Sequence, residues 1–141
     1  MQPALLDSSI YISAFRRGDF LPALGRFTAG TTLWLSAVVL QELYAGASAR
    51  DRAVVEGLER DFDRARRLLV PDLTDWIQAG KVLARLDAKY DYDKIGRSRL
   101  TNDALIAMSA ARLGIRVITA NARDFSKLAE FRALSWQLAT T

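Results

Sequence analysis

The chain has 141 residues, half of them hydrophobic and about a quarter charged, the balance of a single soluble globular domain. It holds no cysteine, which excludes disulfides, thiolate metal sites and a cysteine nucleophile, and no histidine, which excludes the Ser-His-Asp triad and the HExxH metal motif. The net charge of +4 comes from the last third: residues 94–141 carry 8 basic and 3 acidic side chains, residues 1–93 carry 12 and 13. That asymmetry suits a polyanionic partner, and equally a merely solubilising surface.

Ala4-Leu5-Leu6-Asp7 opens the chain as a short apolar strand ending on an acid. Residues 1–6 lack the basic start and long apolar core of a signal peptide. The longest apolar stretch, Leu33–Leu40, is too short to cross a bilayer, so a cytoplasmic protein without a membrane segment is expected. Ser8 and Ser9 are placed to cap a helix over Ile10–Arg17 that Gly18 stops, and Asp19 starts a second helix reaching about Ala29. Thr31–Leu35, β-branched and aromatic, reads as a strand. Ser36 then caps a helix from Ala37 to about Tyr44, closed by Gly46.

Arg50–Leu69 is expected as one long helix, apolar at Val54, Val55, Leu58, Phe62, Ala65 and Leu69, its charges forming a solvated face. Beyond Pro71, an amphipathic helix over Asp75–Tyr90 turns Trp76, Ile77, Val82, Leu83 and Leu86 inward. Asp91–Arg99 reads as a polar loop. Thr101-Asn102-Asp103 starts the helix Ala104–Leu113, which Gly114 ends. Ile115–Thr119 is a strand, Asn121–Asp124 a turn into the helix Phe125–Phe131, and Leu134–Leu138 a last strand. No repeat or linker interrupts residues 1–141, and short apolar strands separated by helices predict an α/β fold on a parallel central sheet.

In such sheets ligands bind beyond the carboxyl ends of the strands. Asp7, Asn121 and Asp124 follow strands, and Asp103 opens a helix just upstream of one. Glu42 has Val38, Val39, Ala45 and Gly46 as its helical neighbours, so it faces inward with no local cation. Each has a plainer explanation. Asp7 fits an Asx turn or helix cap, Asp103 a helix N-terminus, Asn121 a turn, and Asp124 a cap. Glu42 is the exception, because burying a lone carboxylate costs several kcal/mol, on the order of a lost ion pair. Acids converging at one end of a sheet repel one another, and a hard divalent cation such as Mg²⁺ or Mn²⁺ removes that penalty. Spacing and composition thus point to a metal-dependent site for a phosphorylated substrate.

The order of four segments is recognisable. Leu5-Leu6-Asp7-Ser8-Ser9, Val39-Leu40-Gln41-Glu42-Leu43, Leu100-Thr101-Asn102-Asp103-Ala104 and Val117-Ile118-Thr119-Ala120-Asn121-Ala122-Arg123-Asp124-Phe125 resemble the four acidic motifs of the PIN domain, in the manner of VapC-type toxins of type II toxin–antitoxin modules. The resemblance covers nearly the whole chain. It implies a single PIN domain over 1–141, a Rossmann-like α/β/α sandwich, and an endoribonuclease dependent on Mg²⁺ or Mn²⁺. It further implies RNA as substrate, a VapB-like antitoxin as partner, and a homodimer with Ile12, Phe15, Phe20 and Leu21 as candidate contacts.

By the same resemblance Asp7, Glu42 and Asp103 hold the metal and the attacking water. The fourth acidic position departs from the pattern: Asn121 stands there, with Asp124 three residues on as a substitute charge and metal ligand. Thr119 and Ser8 match small hydroxyl positions of the family site. Arg97, Arg99, Arg112, Arg116 and Arg123 would suit an RNA backbone. Two other classes compete: a phosphoacceptor receiver or dehalogenase-like domain, which wants acids where Ser8 and Ser9 stand, and a catalytically inactive PIN-like RNA-binding or scaffold domain.

Overall fold

The first strand sets the architecture. Gln2–Leu6 (β1) buries Ala4, Leu5 and Leu6, and an apolar run buried on both faces belongs at the centre of a parallel sheet. The computed structural model describes residues 2–18, 25, 29–91 and 94–139, with the backbone alone over 94–99. The other strands are Thr31–Ser36 (β2), Leu68–Leu69 (β3), Arg116–Thr119 (β4) and Trp136–Leu138 (β5). All pair in parallel in the order β3-β2-β1-β4-β5. Leu5 stands opposite Trp34 on one side and Val117 on the other, which locks β1 between β2 and β4.

Among the described residues six helices flank the sheet: Ser8–Arg17 (α1), Ala37–Gly46 (α2), Ala49–Arg64 (α3), Leu73–Tyr90 (α4), Lys94–Leu113 (α5) and Ala122–Leu128 (α6). Right-handed crossovers put α1, α2 and α3 on one face and α4, α5 and α6 on the other. The packing agrees, α1 meeting α2 and α2 meeting α3, while α5 meets both α4 and α6. The result is the expected α/β/α sandwich. Among the described residues no helix is long and apolar enough to cross a membrane.

Several elements differ from the sequence reading. The long helix expected over Arg50–Leu69 stops at Arg64, and Leu68–Leu69 forms the edge strand beside β2. Arg66 adopts φ 57°, its N–H bonding Asp63 O and that of Arg67 bonding Phe62 O, a Schellman closure without the glycine that would announce it. Asp91–Arg99, read as a loop, is mostly helix, because α5 begins at Lys94. Asp103 is therefore well inside α5, and the helix-terminus explanation for it fails. The expected helix from Asp19 to about Ala29 lies outside the described residues except at Gly25, which is helical, and Ala29, which is in a turn.

The inward face of α4 is also displaced. Asp75, Ala79, Val82 and Leu86 are buried, whereas Trp76 and Ile77 are 56% and 47% exposed. The helix is rotated because Asp75 has a partner that local sequence does not reveal. Arg112 of α5 donates from Nε and Nη2 to the Asp75 carboxylate at 3.0–3.1 Å. Asp72 caps α4 reciprocally, its carboxylate accepting from Asp75 N while Asp75 Oδ2 accepts from Asp72 N. Paired in this way, Arg112 is withdrawn from the group of arginines expected to bind RNA. Arg116 is withdrawn too, since it opens β4 at the end remote from Thr119 and bonds Ser135 and Gln137.

Burial pushes the Asp75 carboxyl upward, but the Arg112 bonds and charge together with the Asp72 N–H outweigh it, so its pKa lies below the ordinary 3.8. A depressed carboxylate stabilises the fold above its unfolded pKa, and that contribution disappears as pH falls through the folded value. Asp75→Asn should cost about 2 kcal/mol at pH 7. In urea titrations the deficit should close as pH falls below 3.8, where wild-type Asp75 itself becomes protonated.

Candidate active site

β1 and β4 lie side by side, and the crossovers leaving them run to opposite sides of the sheet, so a crevice opens between their carboxyl ends. Asp7 follows β1 directly. Its backbone N–H continues the ladder to Ile118 O at 3.0 Å, and its side chain is 3% exposed. Although Asp7 is the N-cap residue of α1, its carboxylate makes no capping bond. It accepts instead from Ser9 Oγ and Thr119 Oγ1, each at 2.5 Å. Both hydroxyls accept in turn from the turn after β4, Ser9 Oγ from Ala120 N at 3.2 Å and Thr119 Oγ1 from Asn121 N at 2.8 Å. The carboxylate is thus tied to α1, to β4 and, through both hydroxyls, to the loop that carries Asn121.

Three more expected residues reach the same cleft, about 350 Å³ in volume. Glu42 arrives from α2, a helix started by Ser36 Oγ accepting from Val38 N. Glu42 Oε1 is inaccessible to solvent. Asp103 arrives from α5, 7% exposed, and Asn121 from the turn before α6. Asp124 is not part of the lining: its Oδ2 accepts from Asn121 Nδ2 at 2.8 Å, and Asn121 is the residue that caps α6. Any effect of Asp124 on the cleft passes through Asn121.

Ser8, Ser9, Ser13, Ile12 and Arg16 complete the wall. Ser8, expected as a small hydroxyl lining the site, does border the cleft, and Ser9 beside it makes the bond to Asp7. The sequence reading missed Ser13 and Arg16, although Ser9, Ile12, Ser13 and Arg16 fall at i, i+3, i+4 and i+7 and so share a helix face with the caps. The side chains of Arg97 and Arg99 lie outside the described residues.

Burial raises the Asp7 carboxyl above its ordinary 3.8, against the hydroxyl donors and the nearby N–H groups of Ile10 and Ser9. Among the described residues no three acidic side chains are already gathered as a metal-binding group. The donors facing the cleft are carboxylate, hydroxyl and amide oxygens, with Asp7 held where a cation would offset its desolvation. This donor set fits a hard divalent ion.

The family model for the PIN domain matches residues 4–131. The chain belongs to the PIN domain family. Solved structures with a similar fold include a chain of DNA-bound VapBC from Salmonella typhimurium, 23% identical with a TM-score of 0.69 over 98% of each chain. VapBC2 from Rickettsia felis, bound to a promoter DNA fragment, is 19% identical with a TM-score of 0.69, covering 99% of this chain and 100% of that one. VapBC-1 from nontypeable Haemophilus influenzae is 21% identical with a TM-score of 0.66, covering 96% and 97%. At these identities the likeness is one of fold. No curated protein matches the chain. In this PIN domain three of the four acidic motifs place a carboxylate on one cleft, and the fourth places an amide there.

Ionised Asp7 is a cost to the metal-free fold. A carboxylate whose folded pKa is raised destabilises above that pKa, and the cost is relieved as pH falls through it. In EDTA at pH 7 Asp7→Asn should therefore melt at or above the wild type by calorimetry, with the margin shrinking on acidification. A fall of more than ~5 °C would instead show that the hydroxyl bonds to the carboxylate dominate.

Proposed function

We propose that this PIN domain is a Mg²⁺- or Mn²⁺-dependent endoribonuclease, the toxin of a pair whose partner is a VapB-like antitoxin, acting on RNA in the cytoplasm. One observation carries the reading: Asp7, Glu42 and Asp103, from three different elements, face a single cleft at the switch point of the sheet. Membership of the PIN family and the fold likeness to VapBC chains support it.

In this reading the three carboxylates would hold the ion, and two hydroxyls fix Asp7 in place for it. Bound there, the ion supplies a more acidic water and offsets the negative charge that builds on the phosphate. Asn121 borders the cleft, and the second lone pair of its Oδ1 would help orient that water. Asp124 fixes the amide by accepting from Nδ2, which makes it a positioning residue. Ser9 and Thr119 prevent Asp7 from rotating away, at the cost of satisfying its lone pairs before any ion arrives.

The test is cleavage of total RNA by the purified chain with Mn²⁺, with EDTA, and with Asp103→Asn. Products are expected only from the wild type with metal, and cleavage that survives both EDTA and Asp103→Asn would overturn the proposal. A protein that binds RNA with no metal-dependent cleavage would be the inactive binding or scaffold domain. Asn121→Asp removes the donor to Asp124 and sets a like charge beside it, so it should melt lower than the wild type in EDTA. Calorimetry should show it binding Mn²⁺ more tightly, since a fourth charge adds Coulomb attraction in a part-buried site.

A homodimer is part of the same proposal. Of the expected contacts, Ile12 and Phe15 wall the groove beside the cleft and are not assigned to the dimer, and Phe20 and Leu21 lie outside the described residues; the apolar surface assigned to it is the start of α4, with exposed Leu73, Trp76 and Ile77. Light scattering of the purified chain should give the dimer mass, and a strict monomer at high concentration would remove this part.

A further inference from the structure

An RNA strand entering a cleft walled by Asp7, Glu42 and Asp103 meets an acidic surface, so its phosphates need a cation at the rim. Among the described residues one basic side chain lines that cleft, Arg16 of α1. It stands seven residues beyond Ser9 on the face of α1 that bears Ser9 and Ile12. Among the described residues the Arg16 guanidinium forms no ion pair or hydrogen bond, although Glu42 shares its cleft and Asp51 lies along the neighbouring wall. A guanidinium held at an acidic rim and not spent on a carboxylate keeps its planar fork available for a phosphate.

The space beyond the cleft extends the point. A second cavity continues between α1 and α2, sharing Ile12, Arg16 and Glu42 with the first and walled further by Phe15 and Leu43. A third follows past the end of α1, again bordered by Arg16, with Arg17 and Arg50. Arg16 is the basic residue common to all three. The groove therefore leads from the acidic cleft past the apolar walls of Ile12, Phe15 and Leu43, with Asp51 at its edge, to a stretch bordered by Arg17 and Arg50, and Arg16 borders it throughout. Single-stranded nucleic acid suits that sequence of surfaces, since its phosphates need cations and its unstacked bases need apolar walls.

We infer that Arg16 grips the phosphate next to the scissile one, and that the RNA leaves the cleft as a single strand along the groove between α1 and α2. This rests on the nuclease reading above. Arg16 contacts substrate and holds no metal, so its loss should affect RNA and spare the ion.

The experiment compares Asp103→Asn, which binds without cutting, with Asp103→Asn/Arg16→Gln, by fluorescence anisotropy on a single-stranded RNA oligonucleotide across a salt series. The Arg16→Gln step should weaken binding about tenfold and lower the salt slope by roughly 0.7, the value for one phosphate contact on a single strand. In an otherwise wild-type chain Arg16→Gln should raise KM more than it lowers kcat, with Arg16→Lys between the two, and leave Mn²⁺ affinity unchanged or tighter. An unchanged affinity and slope would overturn the inference and leave the groove to a protein partner. A melting temperature lowered by more than ~5 °C with the slope unchanged would likewise overturn it, making Arg16 a structural counter-charge. If Asp103→Asn bound no RNA and the wild type cut none, the nuclease reading itself would fall, an outcome distinct from the loss of Arg16 alone.

Discussion

The structure turns on one buried carboxylate. Asp7 ends the central strand, and its charge is removed from water at a point where β1, β4, α1 and the turn before α6 meet. The two hydroxyls that stabilise it are not free donors, because each also accepts a backbone N–H from that turn. Moving Asp7 would therefore disturb the loop that carries Asn121, and moving the loop would release Asp7. Such a closed circuit of polar groups holds its members more rigidly than any of its bonds would alone. Its energetic weakness and its chemical usefulness share one cause: the desolvation that raises the Asp7 pKa makes the position receptive to a cation.

A second buried acid does the opposite work. Asp75 is as buried as Asp7, but it is met by the Arg112 guanidinium and by a reciprocal helix cap, so its pKa moves down. That pair fastens α4 to α5 and fixes the rotation of both. Because α5 also carries Asp103, nine residues before Arg112, the ion pair near the end of the helix helps set where the carboxylate at its middle points. Buried ion pairs are poor sources of net stability but good at excluding alternative packings. The run of buried residues from Ala104 to Ala110, three of them alanine, allows α5 to lie close against its neighbours.

Charge is thus divided by place. The basic excess of the last third, read from composition as a possible footprint for a polyanion, is partly consumed inside the fold by Arg112 and partly stationed at the wrong end of the sheet by Arg116. Among the described residues, the cation that borders the acidic cleft comes from the first helix, in the two-thirds of the chain with a slight negative balance. Net charge by segment does not say which side chains reach the site, because a cleft gathers residues from every part of the sequence.

The sequence by itself determined what depends on near neighbours. Apolar runs separated by helical periods dictate a parallel α/β sheet, and an acid directly after the central strand must stand at its carboxyl end. An acid among Val38, Val39 and Ala45 must face inward, as Glu42 does. The order of four motifs carried the family. Only the tertiary structure decided what depends on distant partners. Arg112 turned Asp75 inward and so turned Trp76 and Ile77 outward, reversing a periodicity that is sound when acids are assumed to be solvated. Arg66 closed α3 in a left-handed conformation that sequence marks only when glycine occupies it. The early start of α5 placed Asp103 inside a helix and not at its mouth. Ser9 bonded Asp7, and Asp124 met Asn121 rather than the cleft, because hydrogen bonds are chosen by ångström distances across the fold, and spacing along one chain does not contain them.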